Sequence, residues 1–158
     1  MRKIFSVALF VLTLAATATA WSQDNSLGTW KANVAKCKYT PAPWPVASLT
    51  VTREAAPGGV KVTNVGTRRD GSAINATYTA KYDGSGTEVT GEGAPYDSIS
   101  IKQGDANTFT YEAKNSKNKY RVSGRIVISA DGKTMTTTAS GVDADGKPIT
   151  LKLVYDKQ

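Results

Sequence analysis

Hydrophobic and polar residues alternate along most of this chain. Ile74, Ala76, Tyr78, Ala80 and Tyr82 fall on one side of a two-residue period, and Asn75, Thr77, Thr79 and Lys81 on the other. This is the pattern of a strand with one buried and one solvated face. The same split separates Phe109 and Tyr111 from Thr110 and Glu112, and Tyr120, Val122, Ile126 and Ile128 from Arg121, Ser123 and Arg125. It also separates Ile149, Leu151, Leu153 and Tyr155 from Thr150, Lys152 and Asp156. Ten strands are predicted, at 28–34, 47–54, 60–68, 73–82, 87–90, 96–103, 108–114, 119–130, 134–141 and 148–156. No stretch combines a helical period with helix caps.

The turns agree with this reading. Asp-Gly recurs at Asp70-Gly71, Asp83-Gly84, Asp131-Gly132 and Asp145-Gly146, and predicts primed hairpin turns with positive φ at both central residues. Gly58-Gly59, Gly104-Asp105 and Asn115-Ser116 mark further turns. One motif repeats: Gly66-Thr67-Arg68-Arg69-Asp70-Gly71-Ser72-Ala73-Ile74 matches Gly141-Val142-Asp143-Ala144-Asp145-Gly146-Lys147-Pro148-Ile149 as Gly-x-x-x-Asp-Gly-x-x-Ile. The predicted fold is all-β, an antiparallel up-and-down meander of about ten strands. A long open sheet would leave sticky edges, so the meander is expected to close into a barrel, with a β-sandwich as the alternative.

The first twenty residues do not belong to this pattern. Arg2 and Lys3 precede an apolar run from Ile4 to Ala15, and Ala18-Thr19-Ala20 supplies a cleavage site. A signal peptide over 1–20 and one domain over 21–158 are predicted. The run is too short for a membrane span, so no transmembrane segment is expected after cleavage. The expected location is periplasmic or secreted. Losing Arg2 and Lys3 takes the formal charge from +7 to +5, ordinary for a soluble domain.

Composition then removes whole classes of chemistry. With no His and one Cys, the chain has no Ser-His-Asp triad, no Cys-His dyad, no His-ligated metal or haem, no zinc cluster and no internal disulfide. No cofactor, no metal and no enzymatic activity are expected. Glu54, Glu88, Glu92 and Glu112 imply no cleft for glycoside hydrolysis. Asp143-Ala144-Asp145-Gly146 lacks the third acidic position and closing Glu of a calcium loop, and reads as a hairpin turn. The basic stretch Lys114, Lys117, Lys119, Arg121 and Arg125 reads as an outer strand face rather than a nucleic-acid site, because Tyr120 alternates to the opposite side. Asn75-Ala76-Thr77 reads as an accidental sequon. Cys37, between Lys36 and Lys38, would have a lowered thiol pKa if exposed.

Gly28-Thr29-Trp30-Lys31 at the first strand, the ten-strand meander, and a last strand ending Val154-Tyr155-Asp156-Lys157 together resemble the calycin superfamily, over residues 28–158. The likeness is to lipocalins, fatty-acid-binding proteins and secreted lipocalin-like proteins of bacteria. It implies a lipocalin-like barrel around an apolar cavity, with Trp30 as a structural plug at one end. There are departures. Aligned on Tyr155, the Arg-x-Tyr with which fatty-acid-binding proteins hold a carboxylate has Leu153 in place of the Arg. Pro41, Pro43 and Pro45 give an extended crossing where those proteins carry a helical lid. Of the arginines that could partner Trp30, Arg121 and Arg125 alternate outward and only Arg53 could point in.

The expected function is carriage of a small hydrophobic molecule in the barrel. The expected wall is Tyr78, Phe109, Tyr111, Tyr120, Met135 and Tyr155, suited to a neutral or weakly polar ligand. The alternative is an interaction module with a side-chain-filled barrel, contacting a protein through an exposed Trp44 in the proline segment. A Trp44→Ala change is expected to leave small-molecule uptake unchanged if the interior binds, and to abolish partner capture if the proline segment binds.

Overall fold

The computed structural model describes residues 24–158; the expected leader over 1–20 lies outside the described residues. Twelve strands form among the described residues: β1 (Gly28–Ala32), β2 (Lys38–Thr40), β3 (Val46–Ala56), β4 (Gly59–Arg68), β5 (Ala73–Lys81), β6 (Asp83–Glu88), β7 (Thr90–Glu92), β8 (Ser98–Gln103), β9 (Thr108–Lys114), β10 (Arg121–Ile128), β11 (Thr134–Val142) and β12 (Pro148–Lys157). Eleven of them make one continuous path, β6-β8-β9-β10-β11-β12-β1-β3-β4-β5-β7. This is the antiparallel barrel and not the sandwich, since no second sheet exists among the described residues. No helix there is long and apolar enough to cross a membrane.

The barrel is nearly closed. β6 pairs with β8, whereas β7, one residue further along, pairs with β5. The stretch 83–92 therefore crosses the seam, its first part laddered to one side and its last part to the other. Opposite the seam the first and last strands meet, with Trp30 against Lys157 and Ala32 against Tyr155.

That first strand is interrupted. Val34–Lys36 forms a single 3-10 turn, after which β2 rejoins β12 with Tyr39 against Leu151. Cys37 spans the gap, its sulfur accepting from the Val154 N–H at 3.3 Å and its thiol donating to the Val154 carbonyl at 3.7 Å. The side chain thus stands in for missing backbone partners of a half-buried strand. Burial pushes the Cys37 thiol pKa up, against a smaller lowering by the Val154 hydrogen bond. The exposed, activated thiol considered from its lysine neighbours is not what forms.

The hairpins correct a second expectation. Among the described residues only glycines take positive φ, so Asp70 and Asp145 do not adopt the primed geometry. Gly71 donates to Arg68 O while Arg68 donates to Ser72 O, and Gly146 and Asp143 repeat the arrangement with Lys147. This is a type I turn followed by a glycine bulge, with φ of 86° at Gly71 and 89° at Gly146. A carboxylate braces each turn from a different position of the repeat: Asp70 Oδ1 accepts from the Ser72 N–H, whereas in the second hairpin Asp143, not Asp145, accepts through Oδ1 from the N–H groups of Asp145 and Lys147. The repeat is structural to the residue, since Gly66 lies opposite Ile74 and Gly141 opposite Ile149.

Side-chain faces follow the alternation. Ile74, Ala76, Tyr78 and Ala80 are buried, as are Val122, Ile126, Ile128, Ile149, Leu153 and Tyr155. Glu54, Glu88, Glu92, Glu112 and Asn75 are exposed.

Candidate functional site

One end of the barrel is sealed from within. Residues ahead of β1 turn back across the opening: Leu27 N–H donates to Asp24 O, and Ser26 is fully buried. Trp30, 0% exposed, donates its indole N–H to Ser26 O at 2.9 Å, and Lys157 Nζ lies 4.9 Å from its ring centroid. The Tyr82 hydroxyl donates to Asp24 Oδ2 at 2.9 Å. Arg53 points inward, buried to 3% exposure, with Nη2 at 3.3 Å from Ser26 Oγ and 3.4 Å from Tyr82 Oη. Its guanidinium carbon sits 5.6 Å over the Phe109 ring, which packs against Tyr82 at 4.9 Å.

Above Arg53 is a cavity of about 190 Å³. The inward residues of β4 run Val60, Val62, Asn64, Gly66 and Arg68 from the sealed end to the other, and of these Asn64 and Arg68 line the cavity. The cavity is lined by Arg53, Asn64 and Arg68 from β3 and β4, by Val122, Ile126, Met135, Leu151 and Leu153 from β10 to β12, and by a set of tyrosines. No lining residue is an acid. At the far end the proline segment and residues 93–96 fold inward, held by Arg69 Nε donating to Trp44 O at 2.7 Å and Arg68 Nη2 to Gly93 O at 2.5 Å.

Five of the six expected wall residues line the cavity: Tyr78, Tyr111, Tyr120, Met135 and Tyr155. Phe109 does not. It is fully buried beneath the Arg53 guanidinium, one layer below the cavity. Trp44 is corrected more sharply. Far from being exposed, it is 9% exposed and forms part of the cavity wall. Tyr96, in the loop before β8, also lines the cavity and stacks on Tyr120 with ring centroids 6.3 Å apart. Tyr96 opens the strand predicted at 96–103, but β8 begins only at Ser98, so the alternation does not reach it, and Trp44 sits in no periodic segment. The Asp24-x-Ser26 turn has a local signal, an Asx turn in which Asp24 Oδ1 accepts from the Ser26 N–H.

The tyrosines share one electrostatic condition. Burial pushes the pKa of Tyr78 up to about 12, the Arg53 charge opposing the rise. It drives Tyr96, Tyr111, Tyr120 and Tyr155 up as well, the neighbouring phenols adding to the effect at Tyr96 and Tyr111. Tyr96 and Tyr111 are only partly covered, but the surface they keep lines the cavity. A phenol whose folded pKa exceeds its unfolded value stabilises the fold fully below the unfolded value and loses that contribution as pH climbs through the folded one. Stability is therefore expected to fall above about pH 10, with tyrosinate absorbance rising together with loss of circular dichroism. Five tyrosines titrating at their ordinary value in a folded barrel would contradict the closed interior.

No family model matches the chain, and no curated protein matches it. Among solved structures the chain is similar to that of EF1p2_mFAP2b bound to DFHBI, with 12% sequence identity, a TM-score of 0.48, and coverage of 87% of this chain and 97% of that one.

Proposed function

We propose that this protein is an extracytoplasmic binding protein that holds a small, largely apolar molecule inside its barrel, without catalysing a reaction on it. The observation that carries the reading is the cavity of about 190 Å³ lined mainly by aliphatic and aromatic side chains. An interior packed solid would leave no such space. The leader-like sequence over 1–20 supports export. The rival reading, protein capture through Trp44, lacks its exposed anchor, because that indole is buried.

Native mass spectrometry of the protein purified without refolding tests the proposal. The expected spectrum carries an added mass of metabolite size that disappears on denaturation. Leu151→Trp, which fills the cavity from a partly buried lining position, should abolish that adduct while the protein stays folded. Trp44→Ala should weaken uptake, the reverse of the outcome expected of an exposed indole. An adduct that survives in Leu151→Trp would place the ligand outside the barrel.

A further inference from the structure

The chemical class of the cargo can be narrowed, on the premise that the barrel is a carrier. We propose that the cavity takes a single-ring arene bearing one acidic group, whose oxyanion pairs with the guanidinium of Arg53. Arg53 makes no ion pair among the described residues, where the single salt bridge joins Lys61 to Glu54. Its two side-chain hydrogen bonds, at 3.3 and 3.4 Å, lie beyond the usual range for an N–H donor. Its Nε is buried with no hydrogen-bond partner among the described residues. Asp24, the acid closest in the network, is already engaged by the Tyr82 hydroxyl, and the hydroxyls of Ser26 and Tyr82 stand between it and Arg53.

A buried cation without a direct ion pair is an unfavourable element of a fold, and among the described residues Arg53 has against it only the Ser26 hydroxyl, the Phe109 ring and the Tyr82 hydroxyl, itself bonded to Asp24. Here it forms the floor of a cavity whose lining contains a second arginine, Arg68, and no carboxylate. Nη2 is only weakly held and Nη1 makes no hydrogen bond among the described residues, so the guanidinium keeps donor capacity for a charge-assisted bond to an oxyanion in the cavity that Arg53 lines. This charge comes from β3, separated from Leu153 on the last strand only by β1, so the missing Arg-x-Tyr leaves the cavity cationic all the same.

Size and shape supply the rest. An apolar cavity of roughly 150 Å³ holds benzene, so about 190 Å³ accommodates one substituted ring. Tyr78, Tyr111, Tyr120 and Tyr155 offer ring faces and edges to such a molecule. This replaces the neutral ligand expected from the tyrosines alone.

Calorimetric titration with trans-cinnamate and with cinnamyl alcohol separates the two levels of the proposal. The expected result is cinnamate binding at least about tenfold tighter than the alcohol, the contribution of a charge-assisted pair. Arg53→Met should bind the two alike, with the alcohol's affinity kept and near-ultraviolet circular dichroism unchanged. Arg53→Lys, which keeps the charge but not the fork, should show a reduced preference, and it serves if the Met variant does not fold. Equal affinities in the unmutated protein, or a preference that persists in Arg53→Met, overturn the acid assignment and leave the carrier reading intact. Failure of both compounds to bind overturns both.

Discussion

Replacing Trp30 by alanine is expected to lower the folding free energy by about 3–5 kcal/mol, the range for truncating a fully buried aromatic. Its indole has no exposure, donates to Ser26 O at 2.9 Å and carries Lys157 above its ring. Removing it leaves a hole and a buried carbonyl without its donor. It also loosens Ser26, which positions Nη2 of Arg53. Against a typical stability of about 5–15 kcal/mol, such a loss shifts the urea midpoint sharply. Trp30→Phe keeps most of the ring and forfeits the donor, so a smaller loss of about 1–3 kcal/mol is expected. A midpoint unmoved in Trp30→Ala would show that the strand ladders alone hold this end shut.

The second large effect is expected at the repeated glycines. A Cβ on Gly66 would lie 2.1 Å from Ser48 O, and one on Gly141 would lie 1.9 Å from Arg121 O. Both oxygens belong to the backbone of the adjacent strand, so neither can swing aside without opening a ladder. Each alanine substitution should destabilise by about 2–3 kcal/mol, the upper part of the range for overpacking. β4 and β11 are four strand spacings apart around the barrel. The double variant should therefore lose the sum of the two single effects, and its unfolding midpoint read against theirs checks this. Alanine at Gly58, where a Cβ meets nothing within 4 Å, lacks this steric term and is the control, with only the penalty of its positive φ to bear.

Alternation made the faces legible because a two-residue period is set by strand geometry itself. Tyr78, Tyr111, Tyr120 and Tyr155 turn inward for that reason. The period carries no information about height along the barrel axis, which is why Phe109 and Tyr111, two residues apart on one face, fall on opposite sides of the Arg53 guanidinium. Irregular segments were illegible in a different way. Trp44 follows prolines that break any period, and its burial depends on Arg69, from the distant β4–β5 turn, reaching Trp44 O. The turns were recognisable as turns, yet their type depended on where the aspartate carboxylates found N–H partners. Arg53 could be placed facing in, but its lack of a counter-ion is a property of everything packed around it.

The meeting of β1 with β12 also says something about time. Apart from the short β2–β12 ladder beside it, every other ladder joins segments close together in sequence, and a pairing of that kind can form as soon as its two arms exist. The pairing of Trp30 with Lys157 encloses nearly the whole described chain, so the entropy of closing that loop falls due in one step. Until the last strand is available, the remaining ladders can build only an open sheet with Tyr78 and its neighbours uncovered and no interior at all. The cavity is thus an all-or-none product of ring closure, and a chain still lacking β12 has no partial form of it to offer a ligand.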